Sequence, residues 1–178
     1  MHKNIQTIYQ ETIAFAALKH GNQKMPNGLP YVVHLSTVAM EVFMTHKKEP
    51  NFNIELAIQL ALLHDVLEDT PLSFKELEDT FGNIVATGVL ALTKNTSLDK
   101  KDQMDDSLSR ILDLGREVTI VKLCDRITNL QKPPVKWDKE KIKKYHLQAV
   151  VIAETLKGKN AYLDKRIQEK IVAFTAFS

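Results

Sequence analysis

Ala61-Leu-Leu-His-Asp-Val-Leu-Glu-Asp-Thr70 sets His64, Asp65, Glu68 and Asp69 inside an apolar stretch of helical character. At about 100° per residue, spacings of one, three and four positions gather these side chains onto one arc of roughly 140°. Leu62, Leu63, Val66 and Leu67 then face elsewhere. One arc carries charge and the other carries packing. Grouping buried carboxylates is costly unless a cation neutralises them. The stretch is therefore expected to be one continuous helix, and the wall of a metal-dependent hydrolytic site.

Outward from this helix, apolar residues recur at helical spacing and no alternating run is long enough to argue for a strand, so the fold class is all-α. A first helix is expected over about residues 4–19, stopping before His20-Gly21. A polar loop with Pro26 and Gly28 leads to Pro30 and a second helix over about 31–47. Asn53 caps the third helix, which runs to Thr70-Pro71, and Ser73 with Glu76 has capping-box spacing for a short helix ending at Phe81-Gly82. Further helices are expected over about 84–93, 102–113, 116–131, from Asp138 to Lys157, and from Asn160 to about Phe174, with Lys94 to Lys101 as the polar loop between two of them.

A chain of 178 residues with 44% hydrophobic and 26% charged content suits one compact domain over residues 1–178. The formal net charge of +2 gives no global argument for a nucleic acid polymer or a membrane surface, so any anion preference must be local. The lone Cys124 cannot form an internal disulfide, which fits a reducing compartment, and the cytoplasm is expected. The start Met-His-Lys-Asn-Ile-Gln lacks the apolar stretch of a signal peptide, and no run approaches the ~20 apolar residues of a membrane span. Apolar residues of the second and last helices leave room for a homodimer face.

One helix turn cannot close a coordination sphere, so further ligands must come from elsewhere. His34 interrupts the apolar second helix, and Asp125 interrupts Ile120-Val-Lys-Leu-Cys-Asp-Arg-Ile-Thr-Asn-Leu130. Alone, such a histidine is more often a satisfied core residue, and Asp125 could pair with Arg126 or Lys122. Together, three helices each carrying imidazole or carboxylate point to His34, His64, Asp65 and Asp125 as the metal ligands. Mixed nitrogen and oxygen donors suit Mn²⁺, Fe²⁺, Co²⁺ or Zn²⁺ and argue against calcium. Glu68 and Asp69 are left as acid/base groups beside a water that the ion acidifies.

These residues resemble the H…HD…D signature of the HD-domain metal-dependent phosphohydrolases. More specifically, Gly28-Leu-Pro-Tyr-Val-Val-His34, Ala61 to Thr70, Phe81-Gly82 with Leu92-Thr93-Lys94, and Lys122-Leu-Cys-Asp-Arg-Ile-Thr-Asn129 resemble successive motifs of the RelA/SpoT hydrolase domain. The likeness runs in order from about residue 10 to 165 and is strongest to the stand-alone small alarmone hydrolases. It implies an HD-domain bundle of about eight to ten helices. It also implies hydrolysis of the 3′-pyrophosphate of (p)ppGpp to pyrophosphate and GDP or GTP, with Mn²⁺ as the usual ion and a small nucleotide as the partner. The family's ligands fall on His34, His64, Asp65 and Asp125 and its catalytic pair on Glu68 and Asp69. Its substrate-binding positions fall on Lys24, Lys94, Asn129, Lys141 and Tyr145, the last two approaching substrate phosphates.

One departure bears on the base. The family commonly has Arg-Lys where this chain reads Gln23-Lys24, and glutamine cannot supply the cation–π part of a stack on guanine. Base choice is therefore open, and ppApp or another nucleotide is an alternative substrate. The rival readings are a general HD-domain nucleotide pyrophosphohydrolase and a non-catalytic alarmone-binding module, against which the intact Glu68-Asp69 pair argues.

Overall fold

The computed structural model describes residues 4–177. Met1-His2-Lys3, which entered the reading of the amino terminus, lie outside that range. The chain builds α1 (Ile5–His20), α2 (Val32–Lys48), α3 (Ile54–Leu63), α4 (Val66–Asp69), α5 (Phe74–Phe81), α6 (Asn83–Leu92), α7 (Gln103–Leu112), α8 (Arg116–Asn129), α9 (Lys139–Thr155) and α10 (Ala161–Phe174), followed by one short 3₁₀ turn. Apart from an antiparallel bridge between Lys24 and Pro30, regular structure among the described residues is helical. No helix among them is long and apolar enough to cross a membrane.

Local chemistry explains most boundaries. Asn53 accepts from the amides of Glu55 and Leu56 at 3.1 Å each, Asp138 from Lys141 at 2.7 Å, and Asn160 from Leu163 at 2.9 Å. Ser73 and Glu76 close the expected capping box around the start of α5. Gly82 follows α5 with φ 84°, a conformation that a side chain would strain.

The third helix departs from expectation. It is not continuous: α3 ends at Leu63, and Asp65, at φ −105° and ψ −2°, starts the separate turn of α4. The cause lies in His64, whose Nδ1 approaches the Ala61 carbonyl at 2.8 Å. That carbonyl is the acceptor the Asp65 amide would use in an unbroken helix, so side chain and backbone compete for it.

α3 is the hub. It packs against α1, α2, α6 and α8, and Ala57, Ile58, Leu60, Ala61, Leu62 and Leu63 are fully buried. A helix this apolar, with Glu55 and Gln59 along one polar edge, belongs largely inside, each buried Leu or Ile contributing about 1.5–3 kcal/mol. Gly88 lets α6 come close, since a Cβ there would meet Leu60 Cδ2 at 2.6 Å. The lower end of this hub delivers His64 and Asp65 to the neighbourhood of α2 and α8.

Candidate metal centre and active site

His34 and His64 are both only 4% exposed, and their Nε2 atoms stand 3.3 Å apart. Asp125 Oδ1 lies 3.4 Å from His34 Nε2 and 3.7 Å from His64 Nε2. Asp65 Oδ2 lies 2.9 Å from His64 Nε2 and 3.7 Å from His34 Nε2. His34, His64 and Asp125 have donor atoms that all fall within 4.8 Å of one another; Asp65 adjoins that trio through the two imidazoles. Donors bound at about 2.1 Å to one ion are separated by roughly 3.0–3.4 Å along the edges of an octahedron or tetrahedron. The spacing and the donor types thus fit a divalent cation.

The orientation of the donors fits as well. With the Ala61 carbonyl accepting from Nδ1–H, His64 presents the lone pair of Nε2 to the cluster. Tyr31 donates its phenol to Asp65 Oδ2 at 2.5 Å, and burial followed by the Asp65 charge pushes that phenol far up, so it stays a donor. Asn129 donates to Asp125 Oδ1 at 2.6 Å. Without a cation the cluster neutralises itself. Burial works against charge on His64, but Asp65 and Asp125 outweigh it and raise the imidazole well above its usual range. Burial likewise opposes charge on Asp65, yet His64 and the Tyr31 hydrogen bond hold it at about 2. Asp125 is held well below the carboxylate range by His34 and His64 against the same burial.

These residues line a cavity of about 370 Å³, which also takes in Glu68, Asp69, Lys94, Asn129 and Tyr145. That volume suits a small molecule. Glu68 accepts from the Lys94 side chain, and from its amide at 3.2 Å. Burial works against charge on the Lys94 ammonium, but Glu68, helped by Asp65 and Asp69, outweighs it and leaves the group raised and charged. Asp69 Oδ2 accepts from Gln23 Nε2 at 2.8 Å, and Gln23 Oε1 faces His20 Nδ1 at 2.7 Å. Gln23 therefore bridges His20 and Asp69.

Lys24 and Lys141 are not part of the cavity lining. Lys24 is exposed and occupies the bridge to Pro30, and Lys141 sits over the Trp137 ring, 4.8 Å from its centroid. Tyr145 does reach the lining, and the cation over its ring, at 4.3 Å, is Arg126. Arg126, Lys122 and Tyr31 are lining residues that sequence reasoning did not assign to the site. Tyr31 stands within the Gly28-to-His34 motif, and Lys122 and Arg126 stand three residues before and one after Asp125, where the sequence offers them only as its ion-pair partners. Burial pulls the Lys122 ammonium down, with Asp125 opposing.

Residues 12–154 match the family model described as HD domain. The guanosine-3′,5′-bis(diphosphate) 3′-pyrophosphohydrolase MESH1 of Danio rerio is 34% identical over 175 residues, covering 95% of each chain. The guanosine-3′,5′-bis(diphosphate) 3′-pyrophosphohydrolase of Aquifex aeolicus is 34% identical over 135 residues, which are 72% of this chain and 18% of that longer protein. A solved structure described as a metazoan ortholog of SpoT that hydrolyzes ppGpp superposes with a TM-score of 0.80 at 28% identity, covering 97% of each chain.

Proposed function

The chain belongs to the HD-domain family, and from that premise we propose that it is a metal-dependent hydrolase removing the 3′-pyrophosphate of (p)ppGpp, with pyrophosphate and GDP or GTP as products. The observation that carries this reading is the meeting, in one small-molecule cavity, of the imidazole–carboxylate cluster with Glu68 and Asp69. The names of the Danio rerio and Aquifex aeolicus relatives support the choice of substrate.

His34, His64, Asp65 and Asp125 hold the ion in this proposal, and Mn²⁺ is the preferred one. When bound, the ion supplies positive charge beside the phosphoryl oxygens and acidifies a nearby water. Glu68 and Asp69 orient that water and take its proton. The water oxygen bonds to the phosphorus carried on the ribose 3′-oxygen, the P–O3′ bond breaks, and the 3′-oxygen leaves with a proton. Lys94, beside Glu68, is placed to offset phosphate charge, and Asn129 to orient both Asp125 and the nucleotide. Lys24, Lys141 and Tyr145 complete the proposed substrate contacts, the two lysines by reaching in from outside the lining when the nucleotide is present. The buried free thiol of Cys124 suits a reducing compartment such as the cytoplasm.

A second reading concerns the base. Gln23 is engaged with Asp69 and His20, so an adenine alarmone such as ppApp loses no arginine stack relative to guanine. Chromatography of the products from ppGpp, ppApp and GTP, incubated with Mn²⁺-loaded protein, tests both readings. Pyrophosphate with GDP is expected from ppGpp; intact ppGpp alongside consumed GTP would refute the alarmone assignment.

A further inference from the structure

His20 is the last residue of α1 and is only 6% exposed. Its ring lies against that of Tyr31, with centroids 4.8 Å apart and planes 27° from parallel. Nδ1 stands 2.7 Å from Gln23 Oε1, and Nε2 is buried with no hydrogen-bond partner. The backbone of Gln23 is already pinned between the end of α1 and the start of α2. Its N–H donates to the His20 carbonyl at 3.0 Å, and its carbonyl accepts from the Tyr31 amide at 3.0 Å. What remains to be set is the rotation of the side-chain amide, a broad two-fold torsion.

Only one arrangement of protons suits this chain of contacts. Asp69 Oδ2, 2.8 Å from Gln23 Nε2, is a carboxylate oxygen and can only accept, so the NH₂ of Gln23 faces it. Oε1 then faces His20 and also only accepts. Nδ1 must therefore carry the proton of the neutral ring, while Nε2, which no acceptor meets, carries the lone pair. Asp69 differs from Glu68 in what this leaves over. Both oxygens of Glu68 are taken by Lys94, through Nζ and the amide. Asp69 lines the cavity with Oδ2 engaged, and its Oδ1 has no hydrogen-bond partner among the described residues.

We propose that His20 is a positioning residue: by donating from Nδ1 to Gln23 it locks the amide in the sense that ties down Asp69 Oδ2 and leaves Oδ1 to meet the attacking water. Without that donor the amide can turn over and present Oε1 to the carboxylate, and the two oxygens of Asp69 lose their distinction. The consequence for turnover rests on the hydrolytic reading above; the proton arrangement does not. Tyr31, against which the ring is stacked, donates to Asp65 Oδ2 at 2.5 Å. One imidazole thus leans on the metal-binding side of the cavity while it orients the acid/base side.

The test uses the full chain. The ¹⁵N signals of the His20 ring, recorded with diamagnetic Mg²⁺ at a pH where the ring is neutral and identified by their absence in His20→Phe, report which nitrogen carries the proton. The Nδ1–H form is expected, and an Nε2–H form overturns the proposal. Two substitutions then separate bonding from packing in the turnover of ppGpp with Mn²⁺. His20→Phe keeps a ring against Tyr31 and removes the donor; kcat should fall by about 2–10-fold, the value of one ordinary hydrogen bond, with KM and metal content unchanged. His20→Asn loses the ring but returns an N–H near the place of Nδ1, so it should recover most of that loss while lowering Tm more than His20→Phe does. A ring that serves packing alone gives the opposite order, with His20→Phe active and His20→Asn impaired, and refutes the proposal. Because His20 acts through Gln23, His20→Phe combined with Gln23→Ala should be no slower than Gln23→Ala alone, and losses that multiply refute it as well. Should the wild-type chain cleave ppApp or GTP in place of ppGpp, the guanine alarmone reading fails, and the same ratios measured on that nucleotide decide the role of His20. A wild-type chain inert toward all three refutes the hydrolytic reading and the effect on turnover together.

Discussion

The imidazole–carboxylate cluster and the Glu68–Asp69 pair share one cavity, yet the protein holds them in opposite ways. His34 and His64 are buried, and Asp65 and Asp125 are bonded to them and to Tyr31 and Asn129, so each donor is fixed by several neighbours. Glu68 and Asp69 are exposed, and each is tethered by groups from a distant part of the chain, Lys94 for one and Gln23 for the other. Rigid, mutually neutralised donors suit an ion that must stay. Carboxylates in exchangeable hydrogen bonds suit groups that must take and return protons. The kink at His64–Asp65 marks the border between the two regimes.

Under that division, removing a donor differs in kind from removing a base. His64→Ala or Asp125→Ala should abolish metal retention and turnover together, a larger effect than the roughly 100-fold typical for an outer-shell partner; metal content by plasma emission spectroscopy and ppGpp turnover check it. Glu68→Gln should leave metal content intact while kcat drops by about 10²–10⁴. Loss of metal in that variant would erase the distinction between the two regions.

Titration sharpens the same contrast. In the metal-free protein the raised His64 contributes stability that is complete below its unfolded pKa of about 6.5 and is lost as pH climbs through the raised value. Asp65 and Asp125 contribute stability present above about 4, lost as pH falls toward the folded value of about 2 for Asp65. The metal-free fold should therefore be most stable between about pH 4 and 6.5. Metal needs neutral His64, so binding should release a proton and tighten by up to about tenfold per pH unit until that group is deprotonated. Calorimetry in buffers of different ionisation enthalpy measures the released proton, and a pH-independent affinity would contradict the cluster's self-neutralisation. The smallest effect is expected at the tether. Gln23→Ala should lower kcat by about 2–10-fold, the value of one ordinary hydrogen bond, with metal content unchanged. A change confined to KM would place Gln23 at the base rather than at Asp69.

Much of this molecule was legible in order along the chain. The caps at Asn53, Ser73–Glu76, Asp138 and Asn160 act across three residues, so residue type and spacing suffice to read them. The candidate donors His34, His64, Asp65 and Asp125 stood out because ionisable side chains within apolar helices demand a partner. Arg126 did not stand out, because an arginine beside an aspartate reads as an ion pair until Asp125 is seen to be occupied elsewhere. The family resemblance pairs Lys141 with Tyr145 at the substrate phosphates, while in the fold the Trp137 ring claims the lysine ammonium.

By itself, then, the order of residues determined that the chain is helical, where most of its helices start, and which side chains are candidates for metal and acid/base chemistry, since these follow from periodicity and bonds reaching a few residues. The tertiary structure decided that the central helix breaks at His64, that Gln23 reaches Asp69, and that the cation on Tyr145 is Arg126. Each of those outcomes turns on which of several competing partners a polar group meets once the hub helix is buried. Burial is a property of the assembled helices, and no window of sequence contains it.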